Sequence, residues 1–150
     1  MKTLPTAEGS QLILLKLDVL SDTDTTSLIQ TLTDKEKIAH LDIVIANAAV
    51  INYDEPAVKM DLPGLRETLE INLIGPLKLF QATFSLLRNA PRPPKFMALS
   101  SYVGNSAAVA EMGRYYSVSR YAASKAALNH LVRWIHVENE WLTAFTAHPG

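Results

Sequence analysis

The stretch SRYAASKAALNH, Ser119 to His130, places a tyrosine and a lysine four residues apart among small side chains. Residues four apart share one face of a helix, so Tyr121 and Lys125 would lie one turn from each other. A free phenol has a pKa of about 10, and a neighbouring ammonium favours its ionised form. Such a pair can exchange a proton with a substrate oxygen. The alternative is a surface helix whose lysine stem covers an aromatic ring.

Strand and helix signals alternate along the chain and predict an α/β fold. Short apolar runs predict four strands, at Leu12–Val19, Asp42–Ala46, Lys95–Ser100 and in the stretch LTAFTAHPG. Longer stretches predict helices at Asp22–His40, Leu62–Arg88 and Tyr121–Glu140. Continuously apolar strands are typical of a parallel sheet that helices cover on both faces.

Polar or small residues stand at the carboxyl end of each predicted strand, where open parallel sheets bind their ligands. These residues are Asp18, Asn47, Ser100 with Ser101, and His148. The helix of Tyr121 follows the serine pair after one loop, so Ser101, Tyr121 and Lys125 are expected to converge on one cleft. Successive strand residues point to opposite faces, so only one of the two serines can face that cleft.

The segment INLIGP places Asn72, Gly75 and Pro76 inside the long predicted helix. In an α-helix the N–H of residue 76 would bond the carbonyl of residue 72, but proline has no N–H. The main-chain carbonyl of Asn72 is therefore expected to be free in the middle of a helix. The alternative is an ordinary helix residue without a functional role.

These motifs together resemble the classical short-chain dehydrogenase/reductase family. They are Tyr-x-x-x-Lys, the serine pair on the preceding strand, NAA after an earlier strand, and INLIGP. The resemblance extends from Leu12 to Gly150 and implies a Rossmann-type, doubly wound parallel sheet. It implies that Tyr121 is the general acid/base and that Lys125 also grips the ribose of a nicotinamide cofactor.

The resemblance implies further roles. Ser101 would hydrogen-bond the substrate oxygen, and the Asn72 carbonyl would hold a water that relays protons to the lysine. Asp18 would accept a hydrogen bond from the adenine amine, and Asn47 would support the ribose side of the cofactor. Aspartate and asparagine are also favoured in turns for local reasons, and that alternative stays open for both. Tyr115 and Tyr116 are expected in the loop or at the substrate edge.

The glycine-rich turn that holds the cofactor pyrophosphate in such folds has no counterpart here. Neither G-x-x-x-G-x-G nor G-x-G-x-x-G occurs in the chain. Residues 1–150 are predicted to form one incomplete Rossmann-like domain, truncated at both ends, that lacks the first βαβα unit. Without that unit, the predicted strand Leu12–Val19 must stay unpaired, move beside Asp42–Ala46, or await another chain.

The composition is that of a globular domain with balanced charge. Apolar residues make up 48% of the 150 residues and charged residues 19%, and the formal net charge is −1. This balance argues against nucleic acid or a membrane surface as partner. The absence of cysteine excludes disulfides and cysteine-ligated metals. We expect a cytoplasmic protein that acts on a small carbonyl or alcohol substrate.

Two hypotheses for the function follow. In the first, the chain belongs to an oxidoreductase that uses NADP, or else NAD. The stretches INLIGPLKLFQATFSLLR and PKFMALSS resemble fungal ketoreductases of the norsolorinic acid ketoreductase type, which reduce polyketide ketones. In the second, the chain is a non-catalytic remnant. Its role is then at most to bind another molecule or to form a homodimer or homotetramer through its two long helices. An epimerase or dehydratase of the extended branch is a third class, against which NAA and HPG argue.

Overall fold

Three parallel strands form the sheet in the computed structural model, which describes residues 7–113 and 117–149. They are β1 (Ile43–Ala46), β2 (Lys95–Leu99) and β3 (Thr143–Ala147), in the order β1-β2-β3. The register aligns Val44 with Phe96, and Phe96 with Ala144. Since the strands are parallel, their carboxyl ends meet at one edge of the sheet.

Helices connect the strands. The α-helices of the described residues are α1 (Asp24–Gln30), α2 (Leu62–Leu69), α3 (Gly75–Arg88), α4 (Val109–Met112) and α5 (Ser119–Glu138). Two π-helical segments, Thr31–Lys35 and Glu70–Ile74, extend α1 and join α2 to α3. Short 3-10 turns lie at Ala57–Lys59, Tyr102–Gly104 and Ser106–Ala108. Within the described ranges, every helix is too short or too polar to cross a membrane.

One face of the sheet forms the hydrophobic core with α3 and α5. The aligned residues Val44, Phe96 and Ala144 are buried there. The helices contribute Phe80 and Leu87 from α3, and Leu128, Val132 and Ile135 from α5. On the opposite face of β1, Ile43 and Ile45 are exposed. The described helices therefore cover β1 on one face only, where the sequence predicted two, because α3 and α5 pack on the same side.

The segment Leu12–Val19 is not a strand, which corrects the prediction from the sequence. Every second residue, from Ile13 to Val19, is half-buried and the residues between them are exposed. Leu17 and Val19 line a cavity of about 150 Å³ that β1 and the start of α3 complete. A strand requires a neighbour that supplies hydrogen-bond partners, and none of the three described strands pairs with this segment. The other three predicted strands are confirmed with slightly shorter bounds.

The first helix is shorter than predicted, because its π-helical extension ends at Lys35 and not at His40. Lys37 has a φ of 56°, in the left-handed region, and the N–H of Ile38 returns to the carbonyl of Leu32 at 2.9 Å. A left-handed residue of this kind ends a helix, and here no glycine in the sequence signals it. The two long helices have nearly the predicted bounds.

We expect Phe96→Ala to lower the free energy of unfolding by about 3–5 kcal/mol, because it leaves a cavity in the core. Phe96 is fully buried, and its ring centroid lies 5.2 Å from that of Phe80. Phe145→Ala in β3 is the matched control, since Phe145 is 40% exposed and should cost less. Urea unfolding followed by circular dichroism measures both variants. Equal losses would contradict the packing described.

Candidate active site

The first turns of α5 bring Tyr121 and Lys125 together. The Lys125 ammonium lies 5.6 Å from the centroid of the Tyr121 ring. Lys125 is only 2% exposed, and Gly104 packs so closely on it that a Cβ there would stand 2.9 Å from the Cβ of Lys125. The pair therefore does not lie on an exposed helix surface, which was the alternative from the sequence.

Lys125 also connects α5 to the central strand. Its Nζ donates a hydrogen bond to the carbonyl oxygen of Leu99, the last residue of β2, at 2.6 Å. Burial lowers the pKa of the Lys125 ammonium from its ordinary value, because desolvation disfavours the charged form. The bond to Leu99 uses one of the three donors of the ammonium group.

The two serines after β2 lie in different environments, as alternation along a strand predicts. The Ser100 hydroxyl is buried, and the Ser100 N–H continues the ladder by bonding the carbonyl of Ala147 at 2.8 Å. Ser101 is half-buried and lines a cavity together with Tyr121. The serine that the family resemblance favours is therefore the one beside the tyrosine.

Two adjoining, largely apolar cavities lie beside Tyr121. The first, of about 240 Å³, is lined by Ile51, Tyr53, Ser101, Val103, Met112, Val118 and Tyr121. The second, of about 210 Å³, shares Val103, Met112 and Val118 with it and extends to Glu55, Pro56, Ala57, Val109, Gly113, Ser117, Ser119 and Ala122. This arrangement can accept an apolar molecule whose oxygen lies near the hydroxyls of Ser101 and Tyr121.

Asn72 is fully buried and joins three parts of the chain through its side-chain amide. Its Oδ1 accepts a hydrogen bond from the Val50 N–H at 2.8 Å, and its Nδ2 donates to the Val50 carbonyl at 2.9 Å. Nδ2 also donates to Oγ of Ser124 at 3.0 Å. That hydroxyl donates to the main-chain carbonyl of Tyr121 at 2.7 Å. The amide thus holds the loop after β1 against α5.

The helix around Asn72 departs from α-helical geometry just before Pro76. Residues Glu70–Ile74 are π-helical, and the N–H of Gly75 bonds the carbonyl of Glu70, five residues back. Pro76 lacks the N–H that would bond the Asn72 carbonyl in an α-helix. Single π-helical turns are frequent at functional sites. The role of the Asn72 carbonyl stays a prediction, whereas the bonds of its side chain had no signal in the sequence.

Asp18 and Asn47 take no part in the hydrogen bonds and cavities described around Tyr121. The Asp18 carboxylate accepts a hydrogen bond from the Leu20 N–H at 2.9 Å, and the Asp18 N–H bonds the Asp24 carboxylate at 3.0 Å. These bonds fit the turn role that the sequence left open. Asn47 is exposed and lines the cavity next to β1. Cofactor binding stays a prediction for both residues.

Three further residues at this site give little signal in the sequence. Ser124 stands three residues after Tyr121, a spacing at which a helical serine can bond back to a carbonyl. Asp54 and Arg120 form a buried ion pair at the start of α5. They stand 66 residues apart, so no local pattern reveals the pair. Tyr115 and Tyr116 lie outside the described residues.

The residues present suit the ribose and nicotinamide end of a dinucleotide cofactor. The Lys125 ammonium has a described protein bond to Leu99 alone, and its two further donors suit ribose hydroxyls. Tyr121 and Ser101 border the neighbouring cavity, where a substrate oxygen would lie. The pyrophosphate end has no matching glycine-rich motif in the sequence.

We expect Asn72→Ala and Ser124→Ala each to cost about 1–3 kcal/mol of unfolding free energy, because each leaves a buried polar partner unsatisfied. Since the two side chains bond each other, the double variant should lose less than the sum, by about 0.5–3 kcal/mol. Urea unfolding of the wild type and the three variants measures this coupling. Additive losses would show that the bond between the two side chains is absent in solution.

We expect the stability of the wild-type chain to rise with pH relative to that of Lys125→Met. Lys125 has a lowered pKa in the folded protein, so between that pKa and 10.5 the unfolded chain binds more protons. The unfolding free energy of the wild type therefore gains on that of the variant as pH rises through this window. Urea unfolding of both proteins at several pH values measures the difference.

Lys78→Met is the matched control. The stability of the wild type relative to this variant is expected to change with pH in the opposite direction. A hydrogen bond with Glu70, and a second with Asp22, raise the pKa of Lys78 above its ordinary value. Its stabilising contribution is therefore fully present below pH 10.5 and is lost as pH rises through the raised pKa. If the unfolding free energy changed with pH in the same direction for both comparisons, the conclusion that the Lys125 ammonium is buried would be contradicted.

Comparison with known proteins agrees with this geometry. A short-chain dehydrogenase family model, described as enoyl-(acyl carrier protein) reductase, matches residues 1–139. The norsolorinic acid ketoreductase of Aspergillus parasiticus is 36% identical over 150 residues, which cover 100% of this chain and 55% of that protein. The norsolorinic acid ketoreductase of Dothistroma septosporum is 38% identical over 151 residues, covering 100% and 56%. The chain spans about half the length of the curated relatives it matches.

A solved structure shows the same fold. The NADPH-bound carbonyl reductase from chicken fatty liver matches with a TM-score of 0.80 at 23% identity, over 91% of this chain and 56% of that chain. The prediction of a partial Rossmann-type α/β fold is therefore confirmed. Because the family model covers most of the chain and the relatives match all of it, the chain belongs to the short-chain dehydrogenase/reductase family.

Proposed function

We propose that this chain forms the proton-transfer part of a ketone or alcohol oxidoreductase that uses a nicotinamide cofactor. One observation carries the proposal. Tyr121 and Ser101 line the same cavity, and the buried Lys125 ammonium lies 5.6 Å from the tyrosine ring. Membership of an oxidoreductase family supports it.

In the proposed reduction, the phenol of Tyr121 donates its proton to the carbonyl oxygen of the substrate. The Ser101 hydroxyl hydrogen-bonds the same oxygen and holds it within reach of the phenol. The Lys125 ammonium stabilises the phenolate that remains, because an opposite charge favours the ionised form. The nicotinamide, when bound, supplies hydride to the carbonyl carbon. Positioned proton transfer of this kind contributes about 10²–10⁴-fold to a rate.

A large, apolar ketone is the proposed substrate. The two adjoining cavities beside Tyr121 have volumes of about 240 and 210 Å³, and most of the residues that line them are aliphatic or aromatic. Two relatives are named for the reduction of norsolorinic acid. We infer a polyketide ketone of that class, whose reacting oxygen lies at Ser101 and whose apolar body extends past Val103 and Met112.

NADP is the proposed cofactor, with NAD as the alternative. The chicken carbonyl reductase with the same fold was solved with NADPH bound. Lys125 suits the nicotinamide ribose, which both cofactors share, so this residue does not favour either one. We place the reaction in the cytoplasm, where both cofactors occur.

A groove between α3 and α5 favours a second candidate function, the assembly of a homodimer or homotetramer through these helices. The groove has a volume of about 560 Å³ and is lined largely by apolar residues, including Leu73, Leu77, Phe80, Leu131 and Trp134. Trp134 is 52% exposed in the single chain, and large exposed apolar patches mark interaction sites. This function needs no catalysis, so it also applies to a chain that binds no cofactor.

We expect Tyr121→Phe to lower NADPH-dependent reduction of norsolorinic acid by about 10²-fold or more, because phenylalanine has no proton to donate. NADPH binding, followed by the fluorescence of the cofactor, should change little. Tyr102→Phe is the matched control, since Tyr102 is exposed and its ring lies next to His148. Full activity of Tyr121→Phe would rule out this proton donor. A wild-type chain that binds no NADPH would favour the assembly function.

A further inference from the structure

A buried ion pair joins the loop after β1 to the beginning of α5. The side chain of Asp54 is 2% exposed and that of Arg120 is 11% exposed. Nε of Arg120 lies 2.5 Å from Oδ1 of Asp54 as a salt bridge, without the alignment of a hydrogen bond. Arg120 directly precedes Tyr121, so the ion pair fixes the residue next to the proposed proton donor.

Asp54 also caps α5. Its Oδ2 accepts hydrogen bonds from the Arg120 N–H at 2.9 Å and from the Ser119 hydroxyl at 3.3 Å. The N–H of Asp54 donates to the carbonyl of Ser117 at 2.7 Å, which joins the two backbones. Val118, at the N-cap position, provides no capping side chain. A carboxylate from a distant part of the chain therefore accepts hydrogen bonds from the first turn of α5, where its negative charge is also favourable.

Arg120 extends these contacts to α2. Its Nη1 lies 3.5 Å from Oδ2 of Asp61, the residue that caps α2 through the N–H of Gly64. The guanidinium lies directly over Gly64, where an added Cβ would stand 2.0 Å from Nη1. The arginine can take this position only because residue 64 has no side chain. One guanidinium thus contacts the first turns of both α2 and α5.

The same contacts form part of the wall of the proposed substrate site. Glu55, which follows Asp54, lines the second cavity together with Ser117 and Ser119. Val118 lines both cavities, including the one that contains Tyr121. A shift of this loop would therefore move Tyr121 and Val118 relative to Ser101, which follows β2.

We propose that Asp54 and Arg120 are positioning residues that hold the first turn of α5, and with it Tyr121, in place for proton transfer. The proposal rests on the proposed function of Tyr121. Misplacement of a reacting group by about 1 Å can lower a rate by about 10²-fold. Ser101, Val103 and Val109 line the cavities and take no part in the contacts of Asp54 and Arg120, so most of the substrate contacts should persist when the ion pair is removed. The expected signature is a fall in kcat with little change in KM.

The test compares four variants of the full chain with one control. Asp54→Asn keeps a capping oxygen but loses the charge, and Asp54→Ala loses both. Arg120→Lys keeps the charge but not the planar fork, and Arg120→Ala loses both. Asp22→Asn is the matched control, because the Asp22 side chain is 90% exposed and pairs with Lys78 at the surface.

We expect kcat for ketone reduction to fall about 10- to 100-fold in Asp54→Ala and Arg120→Ala. The kcat of Asp54→Asn and of Arg120→Lys should fall less, and the kcat of Asp22→Asn should match that of the wild type. Hydrogen exchange of the backbone amide at position 120 and of its neighbours, measured on the same proteins, should quicken in the same order. Asp54→Asn is nearly isosteric, so it keeps the test decisive where an alanine variant does not fold.

Unchanged kcat per folded molecule in the variants overturns the proposal, and so does unchanged exchange of the Arg120 amide in Asp54→Ala. A fall in kcat in Asp22→Asn as large as that in the Asp54 and Arg120 variants overturns it too, because the effect would then be unspecific. If the wild-type chain has no turnover, the proposed function fails. Hydrogen exchange then decides separately whether Asp54 holds the start of α5.

Discussion

The buried amide of Asn72 is the interaction on which the rest of the site depends. A buried amide forms its hydrogen bonds within the protein, so its position fixes that of its partners, Val50 after β1 and Ser124 in α5. Ser124 in turn bonds the carbonyl of Tyr121. The amide itself is set in a π-helical turn just before Pro76. One side chain therefore fixes the loop after β1, the π-helical segment before α3 and the proposed proton donor in α5 relative to one another.

Three contacts of different kinds hold successive positions in the first turns of α5. Asp54 caps its first turn, Ser124 connects it to Asn72, and Lys125 bonds the end of β2. Under the proposed function, groups held in this way would need little rearrangement when charge develops on a substrate oxygen, which is how preorganised sites accelerate reactions. The adjoining cavities are mainly apolar, and such surroundings strengthen the interactions of the few polar groups that face them.

Features that depend on local sequence were predictable. Apolar runs give the three strands, and the four-residue spacing places Tyr121 beside Lys125, because both follow from the geometry of a single element. Leu12–Val19 has the same apolar pattern, but a strand also needs a paired neighbour, which the pattern does not reveal. The bond of Asn72 to Val50 spans 22 residues and that of Arg120 to Asp54 spans 66. Such contacts exist only once the chain has folded.

Isotope transfer is the most direct test of the proposed oxidoreductase function. The chain would be incubated with norsolorinic acid and NADPH that carries deuterium on the transferable position of the nicotinamide, and the product analysed by mass spectrometry. We expect an alcohol with a single deuterium on the former carbonyl carbon. An unlabelled alcohol would contradict hydride transfer from the nicotinamide, and no alcohol at saturating cofactor would contradict an oxidoreductase function for this chain.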